Sequence, residues 1–246
     1  MTYDEALAYL DEHATYEKTG RIESPSTETI EAFCAAMGDP QHAAPVIHLT
    51  GTNGKGSTAQ MISRLLVASG LTVGTYTSPH LERVNERISR NLEPISDDDF
   101  AEQIAAVADL EAIVGRRPGY FEIMTAAAFR WFADVAVDVM VVEVGLLGRW
   151  DATNVVDATV AVVTNIGMDH NEFAGPTLED VAREKSGNIK ARSATVVGET
   201  RPELVSIFSH AGGASMLVAE DDYELAGNRL AVGGRLLDIR TPTTIY

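Results

Sequence analysis

The segment VIHLTGTNGKGST, residues 46–58, places an apolar run directly before a glycine-rich loop. The apolar run is typical of a buried strand, and the periodic segment that follows, residues 57–69, predicts a helix. Gly70 then separates this helix from a short strand predicted over residues 71–77. Strand, glycine loop, helix and strand form a βαβ unit, whose parallel sheet is normally covered by helices on both faces. We therefore predict an α/β fold with a mostly parallel sheet and helices on both faces.

The composition is that of a globular protein. The chain has 246 residues, of which 45% are hydrophobic and 22% charged, enough for one large domain with a buried core. Its single cysteine, Cys34, excludes a disulfide framework and a cysteine-based metal cluster. No apolar run is long enough to span a bilayer, and the N-terminus carries acids where a signal peptide carries bases. These features predict a cytoplasmic protein without a membrane partner.

The charge balance is strongly acidic, with a formal net charge of −17. Such a surface repels nucleic acid phosphates and anionic membranes, so we expect neither as a partner. The scarcity of lysine beside abundant Asp and Glu resembles the salt-tolerant surfaces of halophiles; an ordinary acidic cytosolic protein is the alternative.

The pattern along the chain predicts three parts. Residues 1–40 read as a helical lead-in, residues 41–213 as the α/β core, and residues 214–246 as a β-rich region with a hairpin. Within the core we predict helices over residues 97–114 and 122–135, a helix beginning near Thr177, and strands over residues 137–144, 158–165 and 194–198. We read residues 79–94 as a long loop of the functional kind. The last part ends without a helix to close it, so we expect the sequence to be a fragment.

The glycine loop predicts a phosphate site. Backbone N–H groups of such a loop, at the positive end of a helix, bind phosphate oxygens. In this reading Lys55 contacts the outer phosphates and a hydroxyl binds Mg²⁺. The loop departs from the common GxxxxGK[ST] pattern because its first glycine is closer and Gly56 follows the lysine. The predicted nucleotide-binding residues are Thr52, Asn53, Gly54, Lys55, Gly56, Ser57 and Thr58.

Polar residues follow the predicted buried strands at the same edge of the sheet. Glu143 ends one strand, and Asp169 and His170 end the segment TNIGMDH after the next one. Ligands of open α/β sheets bind at the carboxyl ends of the strands. The alternative readings are an exposed strand-end glutamate and a surface histidine. A following segment that contains Lys185 would return to this edge.

Six motifs in order resemble the folylpolyglutamate synthase/dihydrofolate synthase family of the Mur ligases. They are GTNGKGS, TSPHLERVNERI, FEIMTAAAF, VVEVGLLGRWDATNVV, TNIGMDH and REKSGNIK. The resemblance runs from about residue 40 to residue 200. The resemblance implies a Mur-type central ATPase domain. It also implies an ATP-dependent ligase that phosphorylates a pteroate or folate carboxylate, after which the amine of L-glutamate attacks the acyl phosphate. A cell-wall Mur ligase is disfavoured by the second and third motifs.

The resemblance also implies roles for individual residues. Ser57, Ser78, Glu143, His170 and Lys185 match the family's Mg²⁺ site, and Lys55, Lys185 and His170 carry the catalytic roles. Lys185 matches a lysine that carries a carbamate, a hard oxygen-donor anion suited to Mg²⁺. The alternative is an unmodified lysine that contacts phosphate directly.

Substrate recognition is implied for three further residues. Arg87 would meet the anionic tail of dihydropteroate or a reduced folate, Phe121 would stack on the pterin, and Asp151 would bind the donor edge of the pterin. The alternatives are that Phe121 belongs to the core and that Asp151 caps a turn. We expect the family's C-terminal glutamate-binding domain to lie outside this sequence. A second hypothesis is therefore a nucleotide-binding fragment without ligase activity. We expect a monomer.

Two single positions and one stretch depart from the family pattern. Leu147 stands where a glycine is usual, and Asn171 where threonine is common. The stretch Ser186-Gly187-Asn188 differs from the usual EKAGIIK-like sequence. We expect these changes to affect affinity rather than the kind of site.

Overall fold

The computed structural model describes residues 1–13, 26–168 and 171–246, without the side chains of Asn171 and Glu172. The strands are β1 (Val46–Thr50), β2 (Val73–Tyr76), β3 (Ile88–Arg90), β4 (Glu93–Pro94), β5 (Val139–Glu143), β6 (Val160–Val163), β7 (Ala194–Val197), β8 (Ser215–Val218), β9 (Glu224–Ala231) and β10 (Gly234–Arg240). The helices are α1 (Tyr3–Asp11), α2 (Glu28–Ala36), α3 (Lys55–Ala68), α4 (Asp97–Val114), α5 (Tyr120–Asp134), α6 (Asn171–Ala174), α7 (Leu178–Lys185) and α8 (Pro202–His210).

β1 to β8 form one sheet in the order β4-β3-β2-β5-β1-β6-β7-β8, and β9 pairs with β10 in a separate hairpin. The six strands from β2 to β8 in this order run parallel, whereas β3 and β4 are antiparallel additions at one edge. The register places Leu49 of β1 beside Glu143 of β5 and beside Val162 of β6. The carboxyl ends of the central strands therefore lie side by side.

Helices cover both faces of the sheet, as the βαβ pattern predicts. On β5, Val139 and Val141 pack in a cluster with residues of α3, and Met140 and Val142 pack in a cluster with residues of α5. Because successive side chains of a strand point to opposite faces, α3 and α5 lie on opposite sides of the sheet. A third cluster joins α7 and α8 to β6, β7 and β8. β5 is buried along its whole length.

The predicted elements are confirmed with shifts of one to a few residues at their ends. Helix α4 has the predicted bounds, and Thr177 caps α7 by accepting a hydrogen bond from the N–H of Asp180. The prediction of a loop over residues 79–94 is wrong in part, because β3, β4 and the 3₁₀ turn Val84–Arg87 lie within it. Asn85 anchors this region, since its amide donates to Ile95 O and its carbonyl accepts from the Tyr3 hydroxyl.

The C-terminal part also differs from the expectation. β8 pairs in parallel with β7, so the main sheet continues past the boundary we predicted after residue 213. The hairpin of β9 and β10 is confirmed. Helix α8, which begins at Pro202, was not predicted from the sequence. In the described part of the chain, no helix is both long and apolar enough to cross a membrane.

Candidate active site

The glycine loop, residues 51–56, follows β1 and leads directly into α3. Gly51 adopts a φ of +143°, and a Cβ atom there would lie 1.9 Å from Thr164 Oγ1, so only glycine fits. Gly54 precedes the first residue of α3 with a φ of +80°. The first N–H groups of a helix have no partner within the helix, and they carry its positive end. The loop thus presents backbone donors at the sheet edge.

The segment after β6 holds the glycine loop from outside. Asn53 N donates to Asn165 Oδ1 at 3.0 Å, and Asn165 Nδ2 donates back to Asn53 O at 2.9 Å. Thr164 Oγ1 donates to Asn53 O at 2.8 Å. Thr52 N donates to Asn165 O at 2.9 Å. Thr164 and Asn165 were not predicted as site residues, although both lie in the motif TNIGMDH.

Two lysines meet at one carbonyl of this loop. Lys55 Nζ donates to Gly51 O at 3.1 Å, and Lys185 Nζ donates to the same oxygen at 2.7 Å. Lys185 is only 1% exposed, whereas Lys55 is half-buried. The N-terminus of α3 and the C-terminus of α7 therefore bring together two side chains that are far apart in the sequence.

Glu143 lies beside this loop at the end of β5. Its Oε2 accepts a hydrogen bond from Ser78 N at 3.1 Å. A Cβ atom on Gly56 would lie 3.4 Å from the same oxygen, so the Glu143 carboxylate lies against the start of α3. Burial raises the pKa of Glu143 to about 6, against the opposing effects of the Ser78 amide and Lys55. A nearby cation would favour the ionised form of this buried carboxylate.

The loop after β5, residues 144–151, is organised around the buried carboxylate of Asp151. Asp151 Oδ1 accepts from Thr153 N at 2.9 Å and from Thr153 Oγ1 at 2.5 Å. Asp151 Oδ2 accepts from Leu146 N at 2.8 Å. Burial raises the pKa of Asp151, and these hydrogen bonds oppose the rise. Leu147 is buried and adopts a φ of +60°, the conformation that the usual glycine would take without strain.

Of the residues predicted to bind substrate, Asp151 belongs to this loop and Phe121 contacts it. Phe121 packs on Gly145, where a Cβ atom would lie 2.4 Å from the ring, and its centroid is 5.8 Å from that of Tyr76. Arg87 is 1% exposed; its Nε donates to His80 Nδ1 at 2.9 Å, and its guanidinium lies 5.4 Å from the Tyr120 ring centroid.

The structure thus groups most of the predicted site residues around two loops. Lys55, Lys185, Glu143 and Ser78 surround the glycine loop, while Ser57 lies exposed on the first turn of α3. His170 lies outside the described residues, as does Asp169.

Comparisons with known proteins find relatives of this chain in sequence and in fold. No protein-family profile matches the chain. A dihydrofolate synthase/folylpolyglutamate synthase from Mycobacterium tuberculosis is 38% identical over 242 residues, which is 90% of this chain and 50% of that protein. The crystal structure of the M. tuberculosis folylpolyglutamate synthase with ADP and AMPPCP superimposes with a TM-score of 0.88 at 34% identity, covering 99% of this chain and 56% of that one. A folylpolyglutamate synthase–AMPPCP–folate complex gives 0.89 at 33% identity, with 100% and 60% covered.

The chain belongs to the folylpolyglutamate synthase/dihydrofolate synthase family of the Mur ligase superfamily.

The chain spans about half the length of the curated folylpolyglutamate synthases that it matches. The predicted fold class is confirmed, since the mostly parallel sheet, its helices and the C-terminal hairpin superimpose on these ligases.

The family relationship implies a Mg²⁺ ion, and the donors around the glycine loop fit such an ion. The described residues contain no group of three or more His, Cys, Asp or Glu side chains placed to hold a metal ion. They do offer one buried carboxylate, Glu143, beside the backbone of Ser78 and close to the glycine loop. Mg²⁺ in nucleotide sites is typically held by one or two carboxylates together with phosphate oxygens and water, so this sparse donor set suits it.

Proposed function

We propose that the chain binds Mg-ATP and takes part in the ATP-dependent joining of a pteroate or folate carboxylate to L-glutamate. The observation that carries this proposal is the convergence of Lys55, Lys185 and Glu143 on the glycine loop. The Lys55 ammonium and a helix N-terminus would provide the positive field that a transferring phosphoryl group requires, and Glu143 would supply a carboxylate for the metal. The family relationship supports the choice of a ligase over other nucleotide-binding enzymes.

The proposed reaction has two steps. A carboxylate oxygen of the pteroate or folate attacks the γ-phosphorus of ATP, and the bond to the β,γ-bridging oxygen breaks to release ADP. The glutamate amine then attacks the carbon of the acyl phosphate, loses a proton, and expels phosphate as the amide forms. Lys55 and the loop N–H groups would hold the γ-phosphate in line and stabilise its charge in the first step.

Glu143 and the hydroxyls of Ser57 and Ser78 would hold the metal, together with His170 and a carbamylated Lys185. Bound Mg²⁺ neutralises charge on the β- and γ-phosphates. Glu143 would need to be ionised for this role, and its raised pKa of about 6 still leaves it mainly ionised at neutral pH.

The carbamate on Lys185 is supported by its surroundings. Two ammonium groups that share one acceptor in a poorly solvated site repel each other. Addition of the neutral Lys185 amine to CO₂, with loss of a proton, would replace one of these charges by an anion beside Lys55. We expect a ¹³C NMR carbamate signal when the protein is supplied with ¹³CO₂ near neutral pH. Its loss in the Lys185→Ala variant would support the assignment, and an identical spectrum would contradict it.

Arg87, Phe121 and Asp151 would form the folate subsite. Phe121 and Gly145 lie against each other beside the Glu143 strand, so a pterin packed on this ring would place its substituent near the glycine loop. Arg87 would supply positive charge toward an anionic tail, and Asp151 would contribute through the lone pairs of Oδ2. We propose dihydropteroate or a reduced folate, L-glutamate and ATP as the small-molecule substrates. We further propose a monomeric cytoplasmic protein.

Calorimetric titration tests the nucleotide part of the proposal. The chain of residues 1–246, in salt high enough to screen its −17 charge, should bind Mg-ATP. A matched incubation with dihydropteroate or tetrahydrofolate and radiolabelled glutamate then tests ligation. Binding with glutamyl product supports a ligase, and binding without product supports our second hypothesis, a nucleotide-binding chain without ligase activity. Absence of Mg-ATP binding contradicts both.

A further inference from the structure

β1 carries a histidine in the interior of the protein. His48 is 0% exposed, and its Nε2 lies 2.8 Å from Thr153 Oγ1. Thr153 is also 0% exposed, and its Oγ1 lies 2.5 Å from Asp151 Oδ1. These three side chains form a buried polar triplet beneath residues 144–151. They share residue types with a nucleophile triad, but the hydroxyl lies between the imidazole and the carboxylate and all three are buried. The triplet is therefore not placed to attack a substrate.

The hydrogen bonds of the triplet have one direction. Asp151 Oδ1 also accepts from Thr153 N, so the carboxylate acts as an acceptor, and the single hydroxyl proton of Thr153 points to it. Thr153 Oγ1 must then accept a hydrogen bond from His48, which requires the proton on Nε2. Burial lowers the pKa of His48 to about 3, so the ring is neutral and Nδ1 carries no proton. Nδ1 has no hydrogen-bond partner among the described residues, and a buried bare acceptor costs less than a buried orphan N–H.

The triplet connects β1 to the loop that joins Glu143 to Asp151. Asp151 Oδ2 accepts from Leu146 N, and the hydroxyl of Thr50, also on β1, donates to Leu147 O at 2.7 Å. Further along the same loop, Arg149 N donates to Glu184 O at 3.1 Å, next to Lys185. The loop is thus fixed at both ends to groups that surround the glycine loop.

We propose that His48 and Thr153 are positioning residues that fix Asp151, and through it residues 144–151, so that Glu143 and Lys185 stay in place around the glycine loop. Neither residue would touch the nucleotide. The effect on nucleotide affinity rests on the proposed function, whereas the direction of the hydrogen bonds does not.

The direction is tested on the wild-type protein by ¹H–¹⁵N NMR of the imidazole nitrogens. The His48 signals are assigned by their loss in His48→Gln. We expect the Nε2–H tautomer with a bare Nδ1 and no change from pH 5 to pH 8. An Nδ1–H tautomer, or protonation within this range, would overturn the proposal whether or not the chain binds nucleotide.

Positioning is tested with Thr153→Val, which keeps the shape but removes the hydroxyl, and Thr153→Ser, which restores it. Thr153→Val removes one hydrogen bond from His48 Nε2 and one from Asp151 Oδ1, both of which are buried. This loss should weaken Mg-ATP binding by about tenfold or more. Thr153→Ser should stay within about threefold of wild type and keep the wild-type His48 tautomer. The matched control is Thr195→Val on β7, because Thr195 Oγ1 is buried without a partner among the described residues, and its removal should leave the affinity unchanged.

Equal affinities in Thr153→Val and wild type, or failure of Thr153→Ser to restore binding, would overturn the positioning role. If wild type itself does not bind Mg-ATP, the proposed function fails, and the NMR measurement still decides the direction of the hydrogen bonds.

Discussion

Two glycine-containing loops lie side by side at the edge of the sheet, and they differ in what fills them. Residues 144–151 close around an anion of the chain itself, the Asp151 carboxylate, which accepts from Leu146 N and from Thr153. Residues 51–56 are held from outside by Thr164 and Asn165, and the helix N-terminus behind them faces the sheet edge. Both loops contain glycines, three in residues 51–56 and two in residues 144–151. Residues 144–151 already bind a carboxylate of the chain, Asp151. Residues 51–56 are the loop that we propose binds a phosphate.

The largest effect is expected in residues 144–151, the loop that closes around Asp151. Asp151→Ala should lower the free energy of unfolding by about 3–5 kcal/mol, because it leaves several buried donors without an acceptor. Urea unfolding measures this change, and Asp151→Asn should be milder since it keeps one oxygen. A loss below about 1 kcal/mol for Asp151→Ala would mean that the carboxylate does not organise the loop.

The next largest effect is expected at Glu199, which binds the segment after β6 that in turn holds the glycine loop. Glu199 accepts from Ile166 N and from Arg201, which holds the pKa of Glu199 down to about 2. A lowered pKa stabilises the folded protein above the ordinary glutamate pKa, and this contribution disappears as pH falls toward 2. Glu199→Gln should therefore cost about 3 kcal/mol at pH 7 and flatten the loss of stability between pH 5 and pH 2.

The control for that experiment is Glu224→Gln in the hairpin. Glu224 also pairs with an arginine, Arg240, but both side chains are exposed. Exposed ion pairs contribute about 0–1 kcal/mol, so the acid unfolding curve should barely change. Equal effects of the two variants would show that burial does not distinguish these pairs.

Substitutions in the glycine loop, residues 51–56, should change nucleotide affinity rather than the free energy of unfolding. Lys55→Ala should weaken Mg-ATP binding by about 10–100-fold, the loss expected for one charged hydrogen bond of about 1.5–3 kcal/mol. Arg64→Ala on the exposed side of α3 removes the same charge from the same helix and should change affinity less than about threefold. Calorimetry compares the two variants, and equal affinities would contradict the phosphate assignment.

The smallest effect is expected from backbone strain at Leu147, within residues 144–151. Leu147→Ala and Leu147→Gly both lose the buried side chain, but only alanine keeps the penalty of the left-handed conformation. The glycine variant should be the more stable of the two by about 1 kcal/mol, the reverse of their usual order in helices. Thermal unfolding of both variants decides this, and an alanine variant of equal or higher stability would show that Leu147 carries no strain.

The sequence predicted the sheet, the glycine loop and Glu143 because each leaves a local signature. Alternating or continuous apolar runs mark strands, and glycines mark positions that need positive φ. Asn165, Thr164 and His48 escaped because their roles come from partners more than 100 residues away in the chain. A single polar residue within the apolar run of β1 was the available signal for His48, and its partner Thr153 has no signal of its own. The shared acceptor of Lys55 and Lys185 likewise depends on tertiary packing.

The order of the strands has a consequence for folding. The groups around the glycine loop come from the ends of β2, β5, β1 and β6, which are neighbours in the sheet but lie far apart in the sequence. Loop closure over such separations is slow, and no subset of these strands completes the site. Nucleotide binding would therefore report assembly of the whole central sheet, and a nucleotide that binds only this assembled state would shift the folding equilibrium toward it in proportion to the logarithm of its concentration.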